Sequence, residues 1–190
     1  MSKTKTVTYL GGYWSSNIGN AFFDIPVMHV LSKILPKHQL VFSDEQIGNR
    51  WLAPEGNPKN SLNYSNYLNP DYVAVAGCAF SKNFPKLWTP TLRALQKRGT
   101  KVLFVSMGGT HYTKNEVRAC RKVLQKYPPY LLMSRDSDTY KKFGDLAEHA
   151  YNGIDCALFL PDAFRPYKTN LSNYVTLNFD GNVRLPFLTR

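Results

Sequence analysis

Short apolar segments alternate with longer amphipathic segments along most of this chain. The apolar segments are four to seven residues long and rich in β-branched and aromatic residues, as β-strands are. Three of them lead into glycines, which favour tight turns at strand ends. The predicted strands cover residues 4–10, 39–43, 72–76, 101–106 and 130–133.

Between these segments, apolar residues recur at helical spacing and predict four helices. Prolines or glycines follow the helices and mark their ends. Pro26 lies inside the first helix and is expected to kink it or delay its start. The predicted helices cover residues 21–35, 88–97, 114–127 and 137–143.

A strand, a loop and a helix therefore follow one another about four times. This order is typical of an α/β fold with a parallel sheet, right-handed crossovers and helices on both faces. We predict such a Rossmann-like domain over residues 1–170. The polar connection at 44–69 has a length typical of functional loops. Residues 171–190 begin with a strand-like segment and are expected to start a second domain that is truncated in this chain.

The chain has 190 residues, of which 43% are hydrophobic and 19% are charged, a composition typical of globular proteins. Its unusual property is a formal net charge of +11. The stretch between residues 96 and 126 contains eight basic residues and one acidic residue. Such a stretch either attracts a polyanion or is a solvated helix face. The eight residues are Lys97, Arg98, Lys101, Lys114, Arg118, Arg121, Lys122 and Lys126.

Several classes of protein are not expected. No apolar run approaches the ~20 residues that a membrane-spanning helix needs, and residues 1–10 lack the apolar core of a signal peptide. The three cysteines, Cys78, Cys120 and Cys156, form no Cys-x-x-Cys motif. They therefore predict reduced thiols and a cytoplasmic location. No two histidines have metal-ligand spacing, so we predict no metal site.

In a parallel sheet, ligands bind outside the carboxyl ends of the strands, so the loops there are the candidate sites. The first loop, residues 11–20, is rich in glycine and can bring backbone N–H groups close to an anion. It matches neither the dinucleotide-binding fingerprint nor the Walker loop, and the alternative is a simple chain reversal. Asn17 or Asn20 is expected to cap the following helix. The candidate substrate-binding residues here are Gly12, Ser16, Asn17, Gly19 and Asn20.

Glycines also follow the next two buried strands, at Gly77 and at Gly108 and Gly109. We predict that these three residues contribute to the substrate site. His111 lies just beyond them and is a candidate catalytic residue, as a general acid or an anion contact. The alternative is a surface histidine in the loop that enters a helix.

Arg135 and Asp136 follow the fifth predicted strand. An arginine at a strand end can donate two parallel hydrogen bonds to a phosphate or a carboxylate, so Arg135 is the second candidate catalytic residue. Asp136 is a candidate substrate-binding residue that either orients Arg135 or, as Ser134 also could, caps the next helix. The alternative is a capped helix with a local ion pair.

Two further positions have simpler predictions. Asp155 is expected to cap a short helix, and Cys156, in an apolar stretch, is expected to be buried and unreactive. Cys78 follows a glycine at a strand end, and no neighbour in the sequence decides whether its thiol reacts.

Taken in order, five segments of this chain resemble the polysaccharide pyruvyltransferase family. The resemblance spans about residues 5–165 and rests on the order and spacing of the segments. They are the Asn-Ile-Gly-Asn of 17–20, the Pro-Asp-Tyr-Val-Ala-Val-Ala-Gly of 70–77, the strand leading to Gly108 and Gly109, the Ser-Arg-Asp-Ser-Asp-Thr-Tyr of 134–140 with Gly144, and residues 153–162.

The resemblance implies two Rossmann-like domains of the glycosyltransferase-B type with the active site between them. It also implies that pyruvate moves from phosphoenolpyruvate to two hydroxyls of a sugar as a cyclic ketal, in surface or exopolysaccharide synthesis. Phosphoenolpyruvate is the donor substrate, and no other cofactor is implied. His111 would act as the acid or phosphate contact, Arg135 would clamp the anion, and the loop of 12–20 would hold donor or acceptor.

This chain departs from the family at Asn20, where the family often has an aspartate. Two other functions stay open from the residues alone: a nucleotide-sugar glycosyltransferase, and a non-enzymatic module that binds an acidic polymer through residues 96–126. The expected partners are phosphoenolpyruvate and a saccharide acceptor, with no membrane span and no nucleic acid. A truncated second domain would expose apolar surface and favour a homo-oligomer.

Overall fold

The chain forms an α/β fold on a six-stranded sheet in which all paired strands are parallel. This confirms the prediction of an α/β fold with a parallel sheet and helices. The predicted second domain at 171–190 and nearly all of the predicted connection at 44–69 lie outside the described residues. The computed structural model describes residues 4–12, 18–43, 69–109 and 112–165.

Five of the six strands coincide with predicted strands to within two residues at each end. The sixth, β6, was not predicted from the sequence, because three of its four residues are exposed and show no apolar pattern. It pairs with β5 alone and is therefore the outermost strand on that side of the sheet. The strands are β1 (Thr6–Leu10), β2 (Gln39–Ser43), β3 (Tyr72–Gly77), β4 (Lys101–Met107), β5 (Leu131–Ser134) and β6 (His149–Asn152).

Among the described residues, the four predicted helices are present, and a fifth short one follows β6. The first is continuous through Pro26 and starts at Ala21, so the expected delay of its start is wrong. The second begins four residues earlier than predicted, with a proline in its first turn, where no backbone N–H is needed. The helices are α1 (Ala21–Ile34), α2 (Phe84–Lys97), α3 (Lys114–Lys126), α4 (Ser137–Phe143) and α5 (Leu160–Ala163).

The strand order is β2-β1-β3-β4-β5-β6, so the chain moves to one side of β1 first and then to the other. Right-handed crossovers then place α1 on one face of the sheet and α2, α3 and α4 on the other, while α5 contacts α1. Two apolar clusters confirm these layers. Val27 and Leu31 of α1 pack on the first face, and Leu92, Leu124 and Phe143 of the later helices pack on the second.

Helix caps fix the loops on either side of the sheet. Asp136 caps α4 by accepting a 2.7 Å hydrogen bond from the Thr139 backbone N–H, so Asp136 rather than Ser134 is the cap. Asp155 caps a short 3-10 turn by accepting from the Ala157 backbone N–H, as predicted. Asn20 precedes α1 but makes no capping hydrogen bond with its side chain, so that prediction is wrong for Asn20.

The longest described helices, α1 and α2, have fourteen residues each. No helix in the described part of the chain has the length and apolar character to cross a membrane.

Candidate functional site

Because all six strands are parallel, the loops that follow them meet at one edge of the sheet, the edge formed by the carboxyl ends of the strands. Gly12, Gly77 and Gly108 lie there, after β1, β3 and β4, and Arg135 lies there after β5. The point at which the chain reverses direction across the sheet lies between β1 and β3. In open α/β sheets such a reversal is where ligands bind.

The loop after β1 is anchored by Asp24, a fully buried residue of α1. One carboxyl oxygen of Asp24 accepts a hydrogen bond from the Tyr9 hydroxyl, and the other accepts one of 2.8 Å from the Gly12 backbone N–H. Burial, with Asp24 beside it, raises the pKa of Tyr9 far above its usual value, so the hydroxyl stays protonated as a donor. A single aspartate thus ties the strand, the loop and the helix together.

Two glycines allow this close approach. A Cβ atom at Gly11 would lie 2.8 Å from the Asp24 carboxyl group, so a larger residue there would displace the anchor. Gly12 has a φ of +121°, which side-chain-bearing residues rarely adopt. Asn20 completes the arrangement by donating a 3.0 Å hydrogen bond to the Gly12 carbonyl oxygen. Asn20 therefore shapes the loop instead of capping α1.

Arg135 follows β5 at this edge, and its side chain is 27% exposed. Its Nη1 donates to Asp155 at 2.7 Å, and its Nη2 lies 3.2 Å from the Cys78 sulfur. Its backbone N–H donates to the Met107 carbonyl oxygen at 2.8 Å, which ties the start of the loop to β4. These contacts bring together the ends of β3, β4, β5 and β6.

Asp155, whose side chain is 34% exposed, positions Arg135 and is itself held in place. The Asp155 carboxylate accepts from the backbone N–H of Ala157 at 2.9 Å, and the Ser106 hydroxyl lies 3.4 Å from it. Ser106 also accepts a 3.0 Å hydrogen bond from the Cys156 backbone N–H. Ser106 has a φ of +52°, a conformation that costs a non-glycine residue energy and that clusters at functional sites.

Gly108 and Gly77 both allow a side chain to pack closely against the backbone at this edge. A Cβ atom at Gly108 would lie 2.3 Å from the Arg135 Nε, so only glycine lets the guanidinium lie against the backbone here. Gly77 has a φ of +89°, and a Cβ atom there would lie 3.2 Å from the ring of Phe23. Both predicted glycines therefore have a physical reason to be glycine.

Asp136 does not orient Arg135. Its carboxylate accepts from the Thr139 hydroxyl at 2.9 Å as well as from the Thr139 backbone, so it serves α4. Thr139 in turn is 2.9 Å from the hydroxyl of Tyr112, and burial raises the pKa of Tyr112 to about 12. Gly109 faces this tyrosine, because a Cβ there would lie 2.5 Å from the Tyr112 ring.

This geometry can hold a small anion. A guanidinium has five N–H donors, and two hydrogen bonds to Asp155 and Cys78 use only two of them. The partner Asp155 cancels one unit of charge and fixes the plane of the fork, so specificity comes from direction more than from net charge. An incoming carboxylate or phosphate would displace the weak contact with sulfur and keep the contact with Asp155.

No protein-family model matches this sequence, and no curated protein does. The resemblance to the pyruvyltransferases therefore stays a prediction that rests on the residues quoted above.

Of the predicted site residues, the structure brings Arg135 and Gly108 into contact and places Gly12, Asn20 and Gly77 at the same edge. Gly19 lies in the turn before α1, and Gly109 and Asp136 pack around Tyr112 and Thr139 instead of Arg135. His111, Ser16 and Asn17 lie outside the described residues.

Two important residues could not be found from sequence patterns. Asp24 lies inside a helix among apolar residues, where a lone aspartate suggests nothing beyond a polar position. Asp155 was expected only as a helix cap, because its partner Arg135 lies twenty residues away. A buried acidic residue one helical turn after a glycine-rich loop is the pattern that can find such an anchor in other sequences.

Two open cavities lie at the opposite edge of the sheet, where the strands begin. Structural contacts cross this region: the Thr100 hydroxyl donates to the Pro70 carbonyl oxygen at 2.9 Å. The Lys101 ammonium lies 3.8 Å from the centroid of the Tyr130 ring. These contacts hold the strand starts together, so we assign this edge to stability.

The three thiols differ in their surroundings, which predicts a simple labelling result. Cys78 is exposed, whereas Cys120 and Cys156 are buried. Burial raises the pKa of Cys120 to about 12 and also raises that of Cys156, so both stay protonated and unreactive at about pH 8. We expect a thiol reagent to modify one cysteine per native chain and all three after denaturation.

A Cys78→Ser variant is the control and is expected to show no rapid modification in the native state. Rapid labelling of a second thiol in the native protein would contradict the packing described for α3 and for the turn after β6.

Proposed function

We propose that this chain is pyruvyltransferase-like and transfers pyruvate from phosphoenolpyruvate to sugar hydroxyls as a ketal in surface or exopolysaccharide synthesis. The observation that carries the proposal is Arg135, held by Asp155 beside Gly108 at the carboxyl edge of a parallel sheet. The order of motifs that resembles the family adds support. The proposal includes a second domain of the glycosyltransferase-B type facing this edge, which supplies the remaining donor contacts.

Phosphoenolpyruvate carries a carboxylate and a phosphate, and both require cationic or N–H donors. In the proposed arrangement, Arg135 binds one of these groups through its remaining donors, with its plane fixed by Asp155. Gly108 lets the Arg135 guanidinium lie against the backbone, and Gly12 gives the loop after β1 its backbone conformation. Donor and acceptor are then positioned next to each other, and this positioning is the main way in which such a binding site accelerates the reaction.

The reaction needs a general acid to protonate the methylene carbon of phosphoenolpyruvate, which makes C2 electrophilic. One sugar hydroxyl adds to C2 and loses its proton. The C2–O bond to phosphate then breaks, and inorganic phosphate leaves. The second hydroxyl adds to C2, loses its proton and closes the ketal, so that of the two hydroxyl protons one restores the acid and the other leaves with the phosphate. We assign the role of the acid to His111 from the family resemblance.

Calorimetric titration of the purified chain with phosphoenolpyruvate tests the donor site. We expect saturable binding that inorganic phosphate or pyruvate alone reproduces only weakly, because the full donor presents both anionic groups. A His111→Ala variant is expected to bind more weakly if His111 contacts the phosphate.

Titration with a nucleotide sugar separates the proposal from its main rival. Binding of the nucleotide sugar without binding of phosphoenolpyruvate would favour a glycosyltransferase. Absence of both kinds of binding would contradict a donor site at this edge.

A further inference from the structure

A basic groove runs along the exposed side of α3. It is lined by Lys114, Arg118, Lys122 and Gln125 on the helix, with Tyr112 and Lys142 across from them. The four helical positions are spaced by four, four and three residues, so they form one stripe along the helix. At 1.5 Å per residue, the three cations of the stripe span about 12 Å.

The three cations of the stripe, Lys114, Arg118 and Lys122, are not neutralised by neighbouring carboxylates among the described residues. Arg118 donates only to the neutral amide of Asn115, at 2.7 Å. No carboxylate in the described ranges forms an ion pair with Lys114, Arg118 or Lys122.

The nearby acidic groups are engaged elsewhere. Glu116 accepts from the backbone and hydroxyl of Thr113 as the capping box of α3. Asp138 pairs with Lys142, and Asp145 pairs with Arg121.

Arg121 also lies on α3, but its guanidinium is already paired and so is not free to bind a polymer. Its two terminal nitrogens both donate to the Asp145 carboxylate, at 2.7 and 2.6 Å, and one also donates to the Lys142 carbonyl oxygen. Lys101 likewise lies at the opposite edge of the sheet, over the Tyr130 ring. Within the basic stretch, Lys114, Arg118 and Lys122 thus form a stripe of three cations on α3 that have no ion-pair partner among the described residues.

The groove begins at the candidate site. Tyr112, at one end of it, contacts Gly109 in the loop that follows β4, and α3 starts two residues later. A linear ligand in the groove would lead away from the edge where Arg135 lies.

We propose that this groove binds an acidic polysaccharide that carries regularly spaced carboxylates. The three cations of the stripe complement a linear array of anionic groups. The one aromatic ring in the groove, Tyr112, is half-buried, packs edge-on against Phe143 at 5.4 Å and is bonded through its hydroxyl to Thr139. It is not placed as a platform on which bases could stack, so a polysaccharide fits better than a single-stranded nucleic acid.

The choice of a polysaccharide rests on the proposed function, whereas the groove does not. Each pyruvyl ketal adds one carboxylate to the sugar chain. An enzyme that makes such groups at the edge of the sheet would therefore hold the modified part of its product along α3.

The test uses a linear oligogalacturonate as the probe, with uncharged dextran and a single-stranded DNA oligonucleotide as comparisons. The groove variant combines Lys114→Gln, Arg118→Gln and Lys122→Gln, which keep good helix formers at exposed positions. The matched control combines Lys33→Gln, Lys37→Gln and Lys86→Gln, which removes the same charge from exposed positions outside the groove. Circular dichroism confirms that both variants fold.

We expect the oligogalacturonate to bind with strong salt dependence and dextran not to bind. The groove variant should lose about tenfold or more in affinity, with a salt slope smaller by about one per cation removed, while the control variant changes little. Equal losses in the two variants would overturn the proposal, because net charge alone would then explain binding. Tighter, groove-dependent binding of the DNA would overturn the choice of polysaccharide.

An Arg135→Gln variant separates this proposal from the proposed function. It should bind the oligogalacturonate like the wild type, because Arg135 does not line the groove. If the wild type binds oligogalacturonate through the groove but binds no phosphoenolpyruvate, the groove stands and the transferase proposal fails. If it binds phosphoenolpyruvate but no oligogalacturonate, the reverse holds.

Discussion

Replacing Asp24 with alanine is expected to lower the free energy of unfolding by about 2–5 kcal/mol, because two buried hydrogen-bond donors lose this carboxyl group as their acceptor. The Tyr9 hydroxyl and the Gly12 backbone N–H both donate to the Asp24 carboxyl group, and Asp24 and Tyr9 are fully buried. The same variant should also loosen the loop after β1, since this carboxyl group is what ties Gly12 to the helix.

Urea denaturation followed by circular dichroism measures this loss. Asp24→Asn is the conservative comparison, because its carbonyl oxygen can still accept from one of the two donors, and it should be less destabilising than the alanine variant. Tyr9→Phe removes one of the two donors, so that no hydroxyl is left there without an acceptor. The double variant Tyr9→Phe/Asp24→Ala should therefore lose less free energy of unfolding than the sum of the two single variants. Additive losses would show that Tyr9 and Asp24 do not interact.

The layers of the fold could be predicted because each strand and each helix has its own local signal. Buried strands such as β3 and β4 are nearly continuous apolar runs, as expected for parallel strands covered on both faces. The edge strand β6 escaped prediction for the opposite reason. Its side chains are mostly exposed, so only its backbone pairing with β5 makes it a strand.

The candidate site could be predicted only in part, because sequence patterns report neighbours along the chain and the site is built from distant ones. The sequence predicted that Arg135 lies at the sheet edge, since it follows a strand directly. It could not predict that Asp155 would pair with it, because β6, the strand that brings Asp155 there, has no apolar signature. The buried pair of Tyr9 and Asp24, fifteen residues apart, was hidden in the same way.

The basic stretch shows a similar limit. Eight cations between residues 96 and 126 look like one patch in the sequence. In the structure, Arg121 forms a fork with Asp145, and Lys101 lies over an aromatic ring at the far edge of the sheet. Whether a charge is free to bind a partner depends on acceptors that come from other elements of the fold.

Replacing Arg135 with glutamine is expected to weaken phosphoenolpyruvate binding by about 100-fold. Two charge-assisted hydrogen bonds to an anion are worth about 3 kcal/mol together, and glutamine retains neither the charge nor the fork. Arg135→Lys should recover part of the loss, because an ammonium keeps the charge but presents no planar pair of donors. Calorimetry with phosphoenolpyruvate measures both variants.

The control is Arg121→Gln, which also removes an arginine that is ion-paired with an aspartate, Asp145. It loses the same charge and a comparable ion pair, yet it lies on α3 and not at the sheet edge, so phosphoenolpyruvate binding should change little. Stability does not explain the expected difference, because the Asp155 side chain left behind in Arg135→Gln is 34% exposed and can be solvated. Equal losses of binding in the two arginine variants would show that the phosphoenolpyruvate responds to the net charge of the protein and that Arg135 forms no directed site.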